Sequence, residues 1–266
     1  MLALMEKLVH TLIFKRVTDV LLTLGDIALL FWETLQSFFH RHLVFRDLTY
    51  QLYLIGLKSQ SVVLITGAFT GMVLAAQTFL QFHKVRMDTA TMAVVSVSML
   101  SQLGPVLTGL MVAGRVGASI AAELGTMKVT EQIDALRTLA THPVDYLVLP
   151  RVAAATIALP VLTSEAIAIG IGSGYLVTTM LLKVDPTYTW ANMLKYTVPN
   201  HLNAGLVKAT IFGTIISLIA CYKGTHCGEG AEGVGRATTE AVVIASISIL
   251  ISNFFLTLFL GRVIAP

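Results

Sequence analysis

Glu165 and Arg115 are the residues of this 266-residue chain whose setting most suggests chemistry, because each lies inside a long apolar run. An ionised group at the centre of a membrane helix costs roughly 2.5–3.5 kcal/mol on insertion scales. Glu165 should therefore face protein or a wet cavity, or carry a proton. Arg115 is nearer a polar end, where it can reach water or hold a structural ion pair. Lys208, in a later apolar run, is available as a partner for Glu165. A second group, His226, Cys227, Glu229 and Glu232, falls in the glycine-rich stretch 222–240, but its spacing matches no zinc pattern. That stretch has no Gly-Lys-Ser or Gly-Lys-Thr and so is no phosphate loop; it reads as a turn entering a helix capped near Thr238 or Thr239. Cys221 and Cys227 are too few for a disulfide framework. With no His-Glu-x-x-His, Gly-x-Ser-x-Gly or dinucleotide fingerprint, the chain does not read as an enzyme. Any ATP-driven work would need another subunit.

The third group is polar and lies between two apolar runs: Glu123 to Pro143, ELGTMKVTEQIDALRTLATHP. Val129, Ile133, Leu136 and Ala140 recur at helical spacing, which predicts one amphipathic helix over about 125–141. Glu131 and Asp134 come early and Arg137 late, as the helix dipole favours, and Pro143 ends it. A membrane protein that offers such a helix to the cytoplasm offers it to a partner.

The elements that position these residues are membrane spans. The chain is 55% hydrophobic and 12% charged, against roughly 25% charged in a soluble domain. The formal charge of +3 gives no reason to expect nucleic acid. Five runs near 52–81, 89–122, 147–182, 202–222 and 238–261 meet the roughly 20 residues a span requires. Pro105 and Pro160 are expected kink sites in the two longest. Gly109, Ala113, Gly117 and Ala121, and again Gly170 and Gly174, have the small-residue spacing that lets helices approach closely, within one chain or between two. Residues 1–47 form an N-terminal unit. Asp19, Asp26 and Glu33 recur every seven residues opposite Leu21, Leu24, Ala28 and Leu35, as in a helix lying in the membrane interface, and His40–Asp47 forms a polar collar. Lys7, Lys15 and Arg16 interrupt the N-terminal apolar run, so it does not read as a cleavable signal peptide. Residues 48–266 form a single transmembrane domain. Lysine and arginine are about twice as frequent in the N-terminal region and the second and fourth connections as elsewhere in the connections, which predicts a cytoplasmic N-terminus and a periplasmic C-terminus. An inverted repeat would be hard to build from an odd number of spans.

VAGRVGASIAAELGTMKVTEQIDAL (112–136), HPVDYLVLPRVAAATIALPVLT (142–163) and GAEGVGRATTEAVV (230–243) closely resemble signatures of the MlaE/YrbE family of ABC-transporter permeases. The resemblance covers nearly everything after residue 50. It implies an all-α protein with an N-terminal interfacial helix, five transmembrane helices and a cytoplasmic coupling helix between the second and third. It also implies a homodimer around a lipid-sized cavity, an ABC ATPase that binds ATP and Mg, an MCE-domain conduit and, in many systems, a STAS-domain protein. No cofactor is implied for this chain itself. The implied task is moving glycerophospholipids between inner and outer membranes, maintaining lipid asymmetry or envelope lipid supply. The implied location is the bacterial inner membrane, with the chloroplast inner envelope as the alternative. On this reading Glu131, Asp134, Leu136 and Arg137 couple to the ATPase, Arg115, Glu123 and Glu165 are buried polar or ion-pair residues, and Leu74, Gln77 and Asn253 line the lipid cavity. Asn253 stands where many members carry an acid. The competing readings are an autonomous ion- or proton-coupled transporter using Glu165 and a non-transporting membrane scaffold.

Overall fold

The computed structural model describes residues 2–40 and 45–263; the side chains of residues 2–17, 19, 20 and 40 fall outside that description. Asp19 and the collar residues 41–44 are therefore beyond it. Outside short turns the described residues are helical, with no strand among them. α1 is Leu2–His40, followed by the spans α2 (Phe45–His83) and α3 (Asp88–Val129) and the short α4 (Gln132–Thr138). Span α5 (Val144–Leu181), the connecting helix α6 (Pro186–Tyr196) and spans α7 (Pro199–Thr225) and α8 (Gly230–Val263) complete the order. All five apolar runs are spans by length and composition.

Glycine sets the packing. α2 and α5 make the most extensive helix contact in the chain. A Cβ on Gly67 would lie 2.8 Å from the Ala166 carbonyl oxygen, and one on Gly71 would collide with the Gly170 backbone. The Gly170–Gly174 repeat thus serves a seam within one chain. The repeat in α3 does the same: Gly109 faces Phe212 and Ile249, Gly117 faces Ile216, and Ala113 and Ala121 are fully buried. α7 is the most enclosed span, while α8 and α2 are the least, with Ile247, Leu250, Phe254 and Leu258 of α8 exposed.

α1 turns a mixed face inward: Ile27 and Leu30 pack partly against the core, while Asp26 and Glu33 of the expected polar stripe stay exposed. Tyr222 on α7 donates to Asp26 at 2.9 Å, Thr34 and Ser37 are buried, and Leu21, Leu24, Phe31, Trp32 and Phe38 face out. The leucine-rich and aromatic side of α1 is left uncovered by the rest of the chain.

Pro105 comes just after a wide, π-type turn at Met99–Leu103, whereas Pro160 lies in the unbroken α-helical stretch Leu149–Leu176. α6 was not among the sequence expectations. Asp185 caps it by accepting from the Thr187 and Tyr188 amides, and Pro186 occupies the first helical position.

Candidate functional site

The polar segment between α3 and α5 is not one amphipathic helix. α3 continues to Val129, Thr130 bonds back to the Thr126 carbonyl, and Glu131 takes a left-handed φ of 60° before α4 begins. That break turns α4 away from the line of α3. Ile133 stays in the core and Leu136 packs partly against it, but Val129 and Ala140 are exposed and Ala140 also has a left-handed φ of 55°. Asp134 sits between two cations, Lys128 at 3.0 Å and Arg137 at 3.2 Å, which fastens α4 to the end of α3. The surface this leaves outward consists of Glu131, Gln132, Ala135, Arg137, Thr138 and Leu139. Leu139, 74% exposed, was missed by sequence reasoning because it lies off the 129–133–136–140 face.

Behind α4 is a cavity of 330 Å³ bounded by α1, α5 and α7 and lined by Asp26, Glu33, Lys128, Arg137, Tyr222 and His226 among others. Beside it the glycine-rich stretch is more ordered than its composition suggests. α8 already starts at Gly230, and the Thr238 and Thr239 hydroxyls bond back to the Gly235 carbonyl inside the helix, so they are not its caps. Gly230, with a φ of 73°, makes the turn, and Gly233 packs on the backbone of Gly228. Cys227 donates to the Gly125 carbonyl at 3.4 Å, His226 stacks on Tyr222, and Glu240 accepts from both Lys223 and Arg236 at 2.9 Å.

The intramembrane charges have separate environments. Glu123, half exposed, pairs at 2.9 Å with Arg151, whose side chain is 4% exposed and also donates to the Leu147 carbonyl. Arg115 donates to the Ser59 hydroxyl at 2.6 Å. Glu165 borders a cavity of 270 Å³ with Leu52, Gly56, Gln60 and Val161, and its Oε2 has no hydrogen-bond partner among the described residues. Lys208 does not meet Glu165. Its ammonium donates at 2.9 Å to the Ser101 carbonyl, Gln102 Oε1 and Thr257 Oγ1. The first of these has a clear cause: Pro105, four residues beyond Ser101, has no N–H to give that carbonyl. Of the residues assigned to a lipid cavity, Leu74 packs partly into a methionine-rich cluster around Met92 and Met99, Gln77 is exposed, and Asn253 Oδ1 has no partner among the described residues. α2 packs mainly on α5 and α8 on α7 and α3, so one chain does not gather these three residues.

Five spans, an outward polar turn at one end and two little-covered spans describe a multi-pass membrane protein. Residues 48–259 match the family described as Permease MlaE. A probable ABC transporter permease protein of Rickettsia felis is 46% identical over 91% of this chain and 94% of its own length. One from Synechocystis is 39% identical over 92% and 90%. The intermembrane phospholipid transport system permease protein MlaE of Haemophilus influenzae is 35% identical over 91% and 94%. With the match spanning all five membrane helices, the chain belongs to the MlaE permease family, and is a multi-pass membrane permease subunit.

Proposed function

We propose that this chain is the permease of an ATP-driven transporter that moves glycerophospholipids between two membranes. The observation that carries this reading is its likeness, over nearly the full length, to a permease named for intermembrane phospholipid transport. Two acyl tails cannot cross water unaided when each CH₂ costs about 0.8 kcal/mol to expose; a shared cavity between two copies removes that cost. The apolar outer faces of α2 and α8 suit such a pairing, which would gather Leu74, Gln77 and Asn253 from both subunits around one cavity. ATP and Mg²⁺ belong to a separate ABC ATPase, since the chain has no nucleotide-binding motif. The ATPase docks on the outward rim of α4, with Glu131 and Arg137 on its surface, Asp134 holding the rim to α3 and Leu136 seating it on the core. An MCE-domain protein continues the lipid path at the opposite end, and a STAS-domain protein accompanies the ATPase. The N-terminus is cytoplasmic, the C-terminus periplasmic, and α1 lies in the interface of a bacterial inner membrane.

The test is reconstitution of the complex purified from native membrane into proteoliposomes with fluorescent phospholipid. Phospholipid transfer that requires ATP and stops with an ATPase inactive in hydrolysis is the expected result. Transfer by this chain alone, driven by a proton gradient and abolished by Glu165→Gln, would replace the reading with the autonomous transporter.

A further inference from the structure

Two of the seven tyrosines and one of the two tryptophans of the chain fall within α6, a helix of 11 residues at the end of the bundle opposite α4. Its inner face is settled by contacts with α3. Thr189 and Met193 are buried, Met193 in one cluster with Met92 and Met99, and Asn192 Nδ2 donates to Thr89 Oγ1 at 3.1 Å. One residue past the helix, the Thr197 and Ser96 hydroxyls share a hydrogen bond at 2.8 Å. The other face is open, with Tyr188, Trp190, Leu194 and Tyr196 each half exposed or more. The one charge within the helix is Lys195, which lies over the Tyr196 ring.

That open face has the chemistry of a bilayer surface rather than of its hydrocarbon. The open side of α8 exposes Ile247, Leu250, Phe254 and Leu258, and α8 has no tyrosine or tryptophan. α6 instead exposes rings that carry a polar tip, the residue types that gather where hydrocarbon meets head groups. Lys195 beside them can bury its stem and keep its ammonium in water. The face is also continuous with a span. Trp190 meets Tyr175 of α5 edge to face, with ring centroids 5.8 Å apart, and the Tyr175 hydroxyl donates to the Pro186 carbonyl at 3.4 Å. Leu176, Met180 and Leu181 follow on α5, all exposed in the last turns of the span. The other exposed tyrosines, Tyr50, Tyr53 and Tyr146, lie near the starts of α2 and α5, at the α4 end. Exposed rings with polar tips therefore mark both ends of the bundle, as two aromatic belts would.

We propose that α6 lies in the membrane interface, with the bilayer surface as the partner of its Tyr188, Trp190, Leu194 and Tyr196 face. It then fixes the ends of α3, α5 and α7 away from α4 to that surface. The inference needs only a multi-pass membrane protein and is independent of what is transported. Trp32→Phe leaves Trp190 as the one tryptophan of the chain. The full chain carrying it is reconstituted in dioleoylphosphatidylcholine vesicles, alone and in the complex with its partners. Three quenchers are compared: lipid brominated on its chains near the head group, lipid brominated near the chain end, and iodide on both sides of the membrane. We expect Trp190 to emit at shorter wavelength than tryptophan in water, with most emission lost to bromine near the head group and least to iodide. Packing on Tyr175 would shield the ring from iodide but brings no bromine to it, so quenching by bromine decides. Leu194→Trp in a chain without Trp32 and Trp190 repeats the reading one turn along the helix. Where Trp32→Phe does not fold, the difference between the unaltered chain and Trp190→Phe isolates the same signal. Absent bromine quenching, with or without quenching by iodide, overturns the proposal. Stronger quenching from the chain end overturns it by placing the face in the hydrocarbon. Bromine quenching seen in the chain alone and lost in the complex overturns it by assigning the face to a protein partner.

Discussion

Gly71→Ala should be among the most damaging single-methyl additions to this protein. The added carbon would lie 2.5 Å from the Gly170 carbonyl carbon and 2.7 Å from its Cα, about 1 Å inside the optimal carbon–carbon separation. Both are backbone atoms, so no rotamer change relieves the clash and α2 must move off α5. Overpacking typically costs 1–3 kcal/mol, and a separation of about 1 Å also weakens dispersion along the whole seam, so the expected loss is about 3 kcal/mol. Gly67→Ala meets Ala166 less severely, at 2.8 Å from its oxygen and 3.1 Å from its Cα, and should cost about 1 kcal/mol. Gly172→Ala is the control. Its Cβ meets nothing within 4 Å, and alanine in a helix interior gains up to about 1 kcal/mol over glycine. SDS titration of the purified chain in mixed micelles, monitored by far-ultraviolet circular dichroism, gives the order of stability. Gly71→Ala as stable as Gly172→Ala would refute the seam as a determinant of the fold.

Glu123→Gln should destabilise more than Arg151→Met, although both break one ion pair. The first strands a buried guanidinium, approaching the roughly 3–5 kcal/mol of an orphaned charge, whereas the second frees a half-exposed carboxylate to water; thermal unfolding of the two variants ranks them. Tyr222→Phe removes the hydroxyl that donates to Asp26 and should weaken the hold on α1 by about 1 kcal/mol, read as faster hydrogen exchange in α1 with α7 unchanged. Leu139→Glu changes an exposed side chain, so stability should stay within about 0.5 kcal/mol while co-purification of the ATPase falls; unchanged co-purification would remove Leu139 from the docking surface.

The spans were legible because hydropathy over some 20 residues is a strong signal, and their positions differ from the expected ones mostly in the terminal turns. The stops were less legible. Arg86, Glu131, Ala140 and Lys183 hold left-handed conformations just past helix ends, where the readable signal would have been glycine. This is why the segment 125–141 read as one helix. The opposite error occurred at Gly230, where glycine density suggested a loop but small size was needed for α8 to pack against Gly228 and Gly125. α6 was readable from Asp185-Pro186 and was overlooked because its length is too short for a span. Which polar groups meet could not be read at all. Lys208 finds a carbonyl freed by a proline 103 positions earlier in the sequence, and no local pattern encodes that pairing.

That pairing also bears on how the subunit can move. Two lysines on α7 tie it to α8 near both ends, Lys208 to Thr257 and Lys223 to Glu240. They are separated by about 20 Å along the helix, so a hinge between α7 and α8 would have to break one of two charge-assisted contacts. The glycine seam binds α2 to α5 as firmly, since backbone packed on backbone offers no compressible side chain between them. A force delivered at α4, whose Ile133 sits in the core cluster with Leu124 and Leu218, therefore reaches packed helix pairs that respond as units. Under the proposed pairing of two copies, the cavity between them changes shape by one subunit's α8 and α2 faces moving against the other's.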